Sequence, residues 1–142
     1  MISAGVDYRT PCPFCDAQAD CHAGQSLYRA SIEWSFEYDC AACGCALADC
    51  GGGRADTPED LRQRLLAAQP PLRLDLPVPA DVAVMRVLRA EYGFDLARAR
   101  TALAEVKDGT FPATGPELAL LAVRLGELGV TAQVTGPSGG PA

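Results

Sequence analysis

The chain has 142 residues, of which 49% are hydrophobic and 21% charged, and a formal net charge of -6 at neutral pH. Such a composition excludes a disordered polypeptide and fits one ordinary domain or two small ones. The acidic balance argues against a tight, sequence-independent grip on a phosphate backbone. From its first residues, MISAGVDYRT, the chain is too polar for a signal peptide, and no apolar run reaches the ~18–20 residues that span a bilayer. A cytoplasmic protein with no membrane contact is therefore expected. In a reducing compartment, seven cysteines grouped around CxxC pairs read as metal ligands ahead of disulfides.

Residues 1–54 carry those pairs, Cys12-Pro-Phe-Cys15 and Cys40-Ala-Ala-Cys43, the second followed by Gly44. A two-residue gap lets one tight turn aim two sulfurs at one ion, and tetrahedral zinc takes four such ligands from two turns. The expectation is a structural Zn2+ held by Cys12, Cys15, Cys40 and Cys43 in a β zinc ribbon. Between the pairs, Tyr28, Ala30, Ile32, Trp34, Phe36 and Tyr38 alternate with polar residues. That period of two predicts a strand, paired with Ala17 to Ala23 through a turn near Gly24. Its aromatic face is expected to be core rather than an interface, because its opposite face is acidic and would repel phosphate. Cys21, His22, Cys45 and Cys50 have irregular spacing. A second metal, Cys45 in place of Cys43, a Cys/His catalytic pair and buried or incidental thiols are the alternatives there, and buried or incidental thiols are favoured.

Residues 55–71 read as a linker containing a short helix. Thr57-Pro58-Glu59-Asp60 has the form of a capped start, Leu61, Leu65 and Leu66 share a side, and Gln69-Pro70-Pro71 stops it.

Residues 72–135 read as strand, helix, helix, helix, strand. Leu72 to Leu76 alternates. Val82, Val84, Met85, Leu88 and Tyr92 have helical spacing, closed by Gly93. Leu96, Ala99, Ala102, Leu103 and Val106 follow a capping Asp95, and Thr114-Gly-Pro-Glu117 opens a third helix that Gly129 closes. Val130 to Val134 is the last strand, and a tail over 136–142 is expected to be disordered. The whole is of α+β class.

The segments Ala83-Val-Met-Arg-Val-Leu-Arg89, Gly93-Phe-Asp-Leu96 and Ala99-Arg100, with the Asp108-Gly109 turn and the Leu128-Gly129 helix end, resemble the C-terminal domain of the bacterial ribosomal stalk protein L7/L12. The resemblance covers about residues 72–135. It implies a small β-α-α-α-β domain that takes a protein partner, such as a GTPase translation factor, on a basic and partly apolar surface of its first two helices. Carried over by position, that surface is Val82, Met85, Arg86, Arg89 and Arg100. Asp81 and Ala97 stand where the family usually has lysine, and Asp95 where it has the second glycine of a Gly-x-Gly. The ribbon replaces the family's dimerisation helices and hinge.

No nucleophile–base pair, phosphate-binding loop or carboxylate dyad is visible in the sequence. The expected function is that of a non-enzymatic adaptor with a protein partner. A nucleic-acid- or ribosome-associated zinc-ribbon protein is the first alternative, and a thiol or redox enzyme using Cys21, Cys45 or Cys50 is the second.

Overall fold

The computed structural model describes residues 2–137. The chain divides into two compact units, Met1–Ala68 and Gln69–Ala142, and both helices and strands are present. The tail expected over 136–142 lies, from residue 138 onward, outside the described residues.

The first unit is a four-stranded antiparallel meander with one helix. Strands β1 (Ile2–Pro11), β2 (Gln18–Tyr28), β3 (Ser31–Asp39) and β4 (Ala46–Gly52) pair in chain order. Along β2 and β3 the side chains alternate between a buried and an open face, as period-two strands do. Ala19, Cys21, Ala23, Gln25 and Leu27 share the buried face with Ile32, Trp34 and Tyr38. The aromatic row is thus mainly core, except that Tyr28 is exposed.

The hairpin differs from expectation. β2 runs straight through Gly24, and the chain reverses at Arg29-Ala30, between the paired Tyr28 and Ser31. Both turn residues have positive φ, 49° and 60°. That is the mirror-image two-residue turn whose twist suits a hairpin, although neither residue is the asparagine or glycine it usually selects. Ala30 therefore belongs to the turn rather than to the strand.

Helix α1 (Glu59–Ala68), expected within a linker, lies on the buried face. Leu61 and Leu65 form one apolar cluster with Ala23 and Trp34, and the Arg64 guanidinium lies 3.8 Å from the centre of the Tyr8 ring. Thr57 does not cap the helix. Its hydroxyl accepts a hydrogen bond from Gln25 (3.2 Å) and donates to the Gly53 carbonyl (3.5 Å). Opposite Trp34 in β4 stands Gly51, where a Cβ would come within 2.7 Å of the indole ring. Only glycine lets this edge strand close over the tryptophan.

The second unit contains β5 (Arg73–Asp75), α2 (Asp81–Tyr92), α3 (Leu96–Asp108), α4 (Gly115–Glu127) and β6 (Gln133–Thr135), with β5 and β6 antiparallel. The helix ends follow their sequence signals. The Asp95 carboxylate accepts from the Arg98 N–H at 2.7 Å, Thr114 and Glu117 complete a reciprocal capping box, and Gly93 and Gly109 end their helices in the left-handed region. Val84, Leu88, Ala102, Val106, Leu118 and Leu125 fill the core, whereas Leu96 and Leu128 stay exposed. Among the described residues no helix is long and apolar enough to cross a membrane.

Candidate metal centre

The β1–β2 and β3–β4 connections lie at the same end of the sheet, opposite the Arg29-Ala30 turn, and they are built alike. In the first, the Cys12 N–H bonds the Ala17 carbonyl (2.7 Å) and the Asp16 N–H bonds the Cys12 carbonyl (2.8 Å). In the second, the Cys40 N–H bonds the Cys45 carbonyl and the Gly44 N–H bonds the Cys40 carbonyl, both at 2.8 Å. The residue after each second cysteine turns left-handed, Asp16 at φ 64° and Gly44 at φ 75°. Glycine does this freely, and aspartate is among the few other residues that do so at modest cost. Each loop thereby aims two sulfurs at one point.

The four thiols that meet there are Cys12, Cys15, Cys40 and Cys43, whose sulfurs all lie within 4.8 Å of one another. Cys12 and Cys43 are 3.8 Å apart, and Cys15 and Cys40 are 3.5 Å apart. A tetrahedron of sulfurs about 2.3 Å from a central ion has edges of about 3.8 Å. The cluster could therefore hold a metal ion with little rearrangement. None of the seven cysteines is in a disulfide.

Electrostatics inside the cluster divides the thiols. Burial pushes Cys12 up, but N–H groups of Phe14 and Cys15 and the neighbouring Cys43 and Cys40 thiols outweigh it and bring the thiol down to about 6. At Cys43 the Cys45 N–H pulls down, while burial and three adjacent sulfurs prevail and push it up to about 12. Cys15 is also raised: the Ala17 N–H acts against this, but Cys40 and burial win. Four thiolates this close repel one another, and a bound cation reverses that balance. Tyr38 supports the cluster from the core, with its hydroxyl 4.0 Å from the Cys12 sulfur. Burial first, and the Cys12 sulfur second, push this phenol up to about 12, so it stays protonated and can donate to a thiolate. Its place in a strand alternation marked Tyr38 as core; nothing in the sequence marked it as a partner of Cys12.

The remaining candidates are not gathered. Cys21 is on the buried face, Cys45 is half-buried at the end of its loop, and Cys50 is exposed on β4. His22 is on the open face, its Nδ1 2.7 Å from the Asp7 carboxylate. Among the described residues, Cys12, Cys15, Cys40 and Cys43 form the one group of three or more such side chains within ligand distance. Cys43, and not Cys45, completes it.

In the second unit, Val82, Arg86 and Arg89 are exposed on α2, with Val82 at 84% exposure, and Met85 is half-buried beside them. Arg100 is exposed on α3. Arg89 donates to the Phe94 carbonyl at 3.3 Å. Compared with family models, curated proteins and solved structures, the chain matches none.

Proposed function

We propose that this protein is a non-enzymatic adaptor. Its four-cysteine centre holds a structural zinc ion, and the α2–α3 surface takes an acidic protein partner. The observation that carries the zinc reading is the closed four-sulfur set. Soft thiolate ligands in a tetrahedron suit zinc, and with four protein ligands no position is left open for a substrate or an activated water. The thiol-enzyme reading is weakened at Cys21, where burial pushes the thiol up, away from the thiolate a nucleophile needs.

The adaptor reading rests on Val82, Met85, Arg86 and Arg89. Their spacing places them along one side of α2, with Arg100 on the following helix. An exposed valine with Arg86 and Arg89 further along the same side of its helix suits a partner that offers carboxylates beside an apolar contact, since arginine pairs with carboxylates two bonds at a time. The resemblance to the stalk-protein domain points to a translation factor or another GTPase as that partner.

The test is a paired capture at moderate salt, with wild type and Arg86→Glu/Arg89→Glu as baits and the bound proteins identified by mass spectrometry. The expected result is a translation factor held by wild type and lost with the variant, while metal content and helical circular dichroism stay unchanged. Equal capture by both baits would remove this surface from the assignment.

A further inference from the structure

The face of the first sheet opposite α1 has its own chemistry. Asp7, His22 and Glu37 stand side by side across β1, β2 and β3, and Arg9, Asp20 and Asp39 form the neighbouring row. With Glu33, the face presents five carboxylates against one guanidinium, and that guanidinium is already paired with Asp20 at 3.1 Å. Two hollows of about 800 and 770 Å³ lie along it, and His22 lines both.

The floor between the acids is low because Gly5 pairs with Gly24 there. A Cβ on Gly5 would come within 3.2 Å of His22 Cε1 and 3.5 Å of Nε2, and one on Gly24 within 3.8 Å of Nε2. The imidazole therefore lies across the two glycines instead of standing away from the sheet, with the Asp7 carboxylate fixing it through Nδ1. The result is a flat aromatic ring, 46% exposed, between carboxylates. A planar cation can stack on such a ring while its N–H groups reach the flanking acids. A guanidinium has that shape and an ammonium does not.

We propose that this open face binds an arginine-rich segment of a partner protein, one arginine stacking on His22 and pairing with Asp7 or Glu37. The site belongs to the first unit and calls for a partner opposite in charge to the one proposed for the α2–α3 surface.

The test uses the full zinc-loaded chain and a fluorescein-labelled Arg-Gly repeat peptide, with a Lys-Gly repeat of equal length as the comparison, read by anisotropy. The arginine peptide is expected to bind about two- to fivefold tighter than the lysine peptide, as stacking on a half-exposed ring allows. His22→Ala should bring it to the lysine level, and Gly24→Val, which fills the floor without changing charge, should abolish binding. Zinc content and Trp34 emission report that these variants fold. Reversal of Glu37 and Asp39 to lysine should weaken binding, whereas the equal charge change Asp75→Lys/Asp108→Lys in the second unit should leave it nearly intact. Equal affinity for both peptides, equal loss from both double reversals, or no binding by wild type would each overturn the proposal. So would a sedimenting dimer that Glu37→Lys dissolves and the arginine peptide does not compete with, because the face would then be taken by a second copy.

Discussion

Leu65→Ala tests whether α1 is structural in the first unit or is a detachable connector. Leu65 is 1% exposed and packs with Leu61, Ala23 and Trp34 under the sheet. Truncating a buried leucine to alanine costs about 2–5 kcal/mol, less where the surroundings can collapse into the space. Here one wall is the rigid indole and another is a sheet, but the helix can settle, so about 3 kcal/mol is expected. A unit of this size is stable by only ~3–10 kcal/mol. The variant should thus lose from a third to nearly all of its stability. Trp34 is the only tryptophan in the chain, so urea unfolding followed by its fluorescence reports this unit alone. With a slope of about 1–1.5 kcal/mol per molar, the midpoint should fall by about 2 M, or the emission should be that of an unfolded chain without urea. A shift below about 0.4 M, at unchanged slope, would mean that α1 leaves the sheet at almost no cost and the linker reading stands.

Three more outcomes follow from the same geometry. Cys40→Ser should reduce bound zinc from one per chain to nearly none and unfold the first unit, since a structural zinc contributes about 10–16 kcal/mol and the cluster around it holds one large buried side chain, Tyr38, with Tyr8 and Phe36 only half-buried against it; retained zinc by colorimetric chelator release would refute the ligand assignment. Zinc affinity should rise with pH, because Cys15 and Cys43 keep their protons in the metal-free cluster while Cys12, at about 6, has already lost its own. At least two displaced protons mean at least about a hundredfold per pH unit just above pH 6, steepening below it as Cys12 also protonates, and competition titrations that stay flat would contradict this. Ala30→Gly should stabilise the hairpin by about 0.5–1 kcal/mol, because alanine is strained at φ 60°; thermal unfolding of the zinc form would read it, and a loss of stability would refute the turn assignment.

What the sequence made legible depends on how local the cause is. Two CxxC pairs announce their geometry because each turn is set by its own few residues. The same holds for Thr114 and Glu117, whose capping box was readable as a four-residue pattern. Thr57-Pro-Glu-Asp60 has a similar pattern, but its hydroxyl is engaged by Gln25, a buried amide 32 residues earlier, and by the Gly53 carbonyl. The edge strands were missed for a related reason. In β1, Val6 and Tyr8 are only half-buried and most of the other positions are small or polar. β4 is ALADCGG, with glycines and an aspartate that disfavour strands in isolation. Pairing with β2 and β3 makes them strands, and the need for glycine at 51 is visible only once Trp34 stands opposite. Leu61 and Leu65 were readable as one side of a helix, but not what that side would meet.

The distribution of charge ties the two proposed surfaces together. Residues 1–68 hold ten carboxylate side chains and five arginines, and residues 69–142 hold eight carboxylates and seven basic groups. Nearly all of the net negative charge is therefore in the first unit, and half of that unit's carboxylates stand on the open face of its sheet. On α2, by contrast, the exposed ionised groups beside Val82 include two arginines. Charge of this kind sets which partner approaches and how fast, more than how tightly it is held. Holding falls to the groups that exclude water or stack, Val82 and Met85 on one surface and the flat His22 ring on the other. Salt should therefore slow both associations, whereas Val82→Asp and His22→Ala should each speed dissociation of one partner and leave the other unchanged. If one variant released both partners together, the two surfaces would be a single site and the adaptor reading would fail.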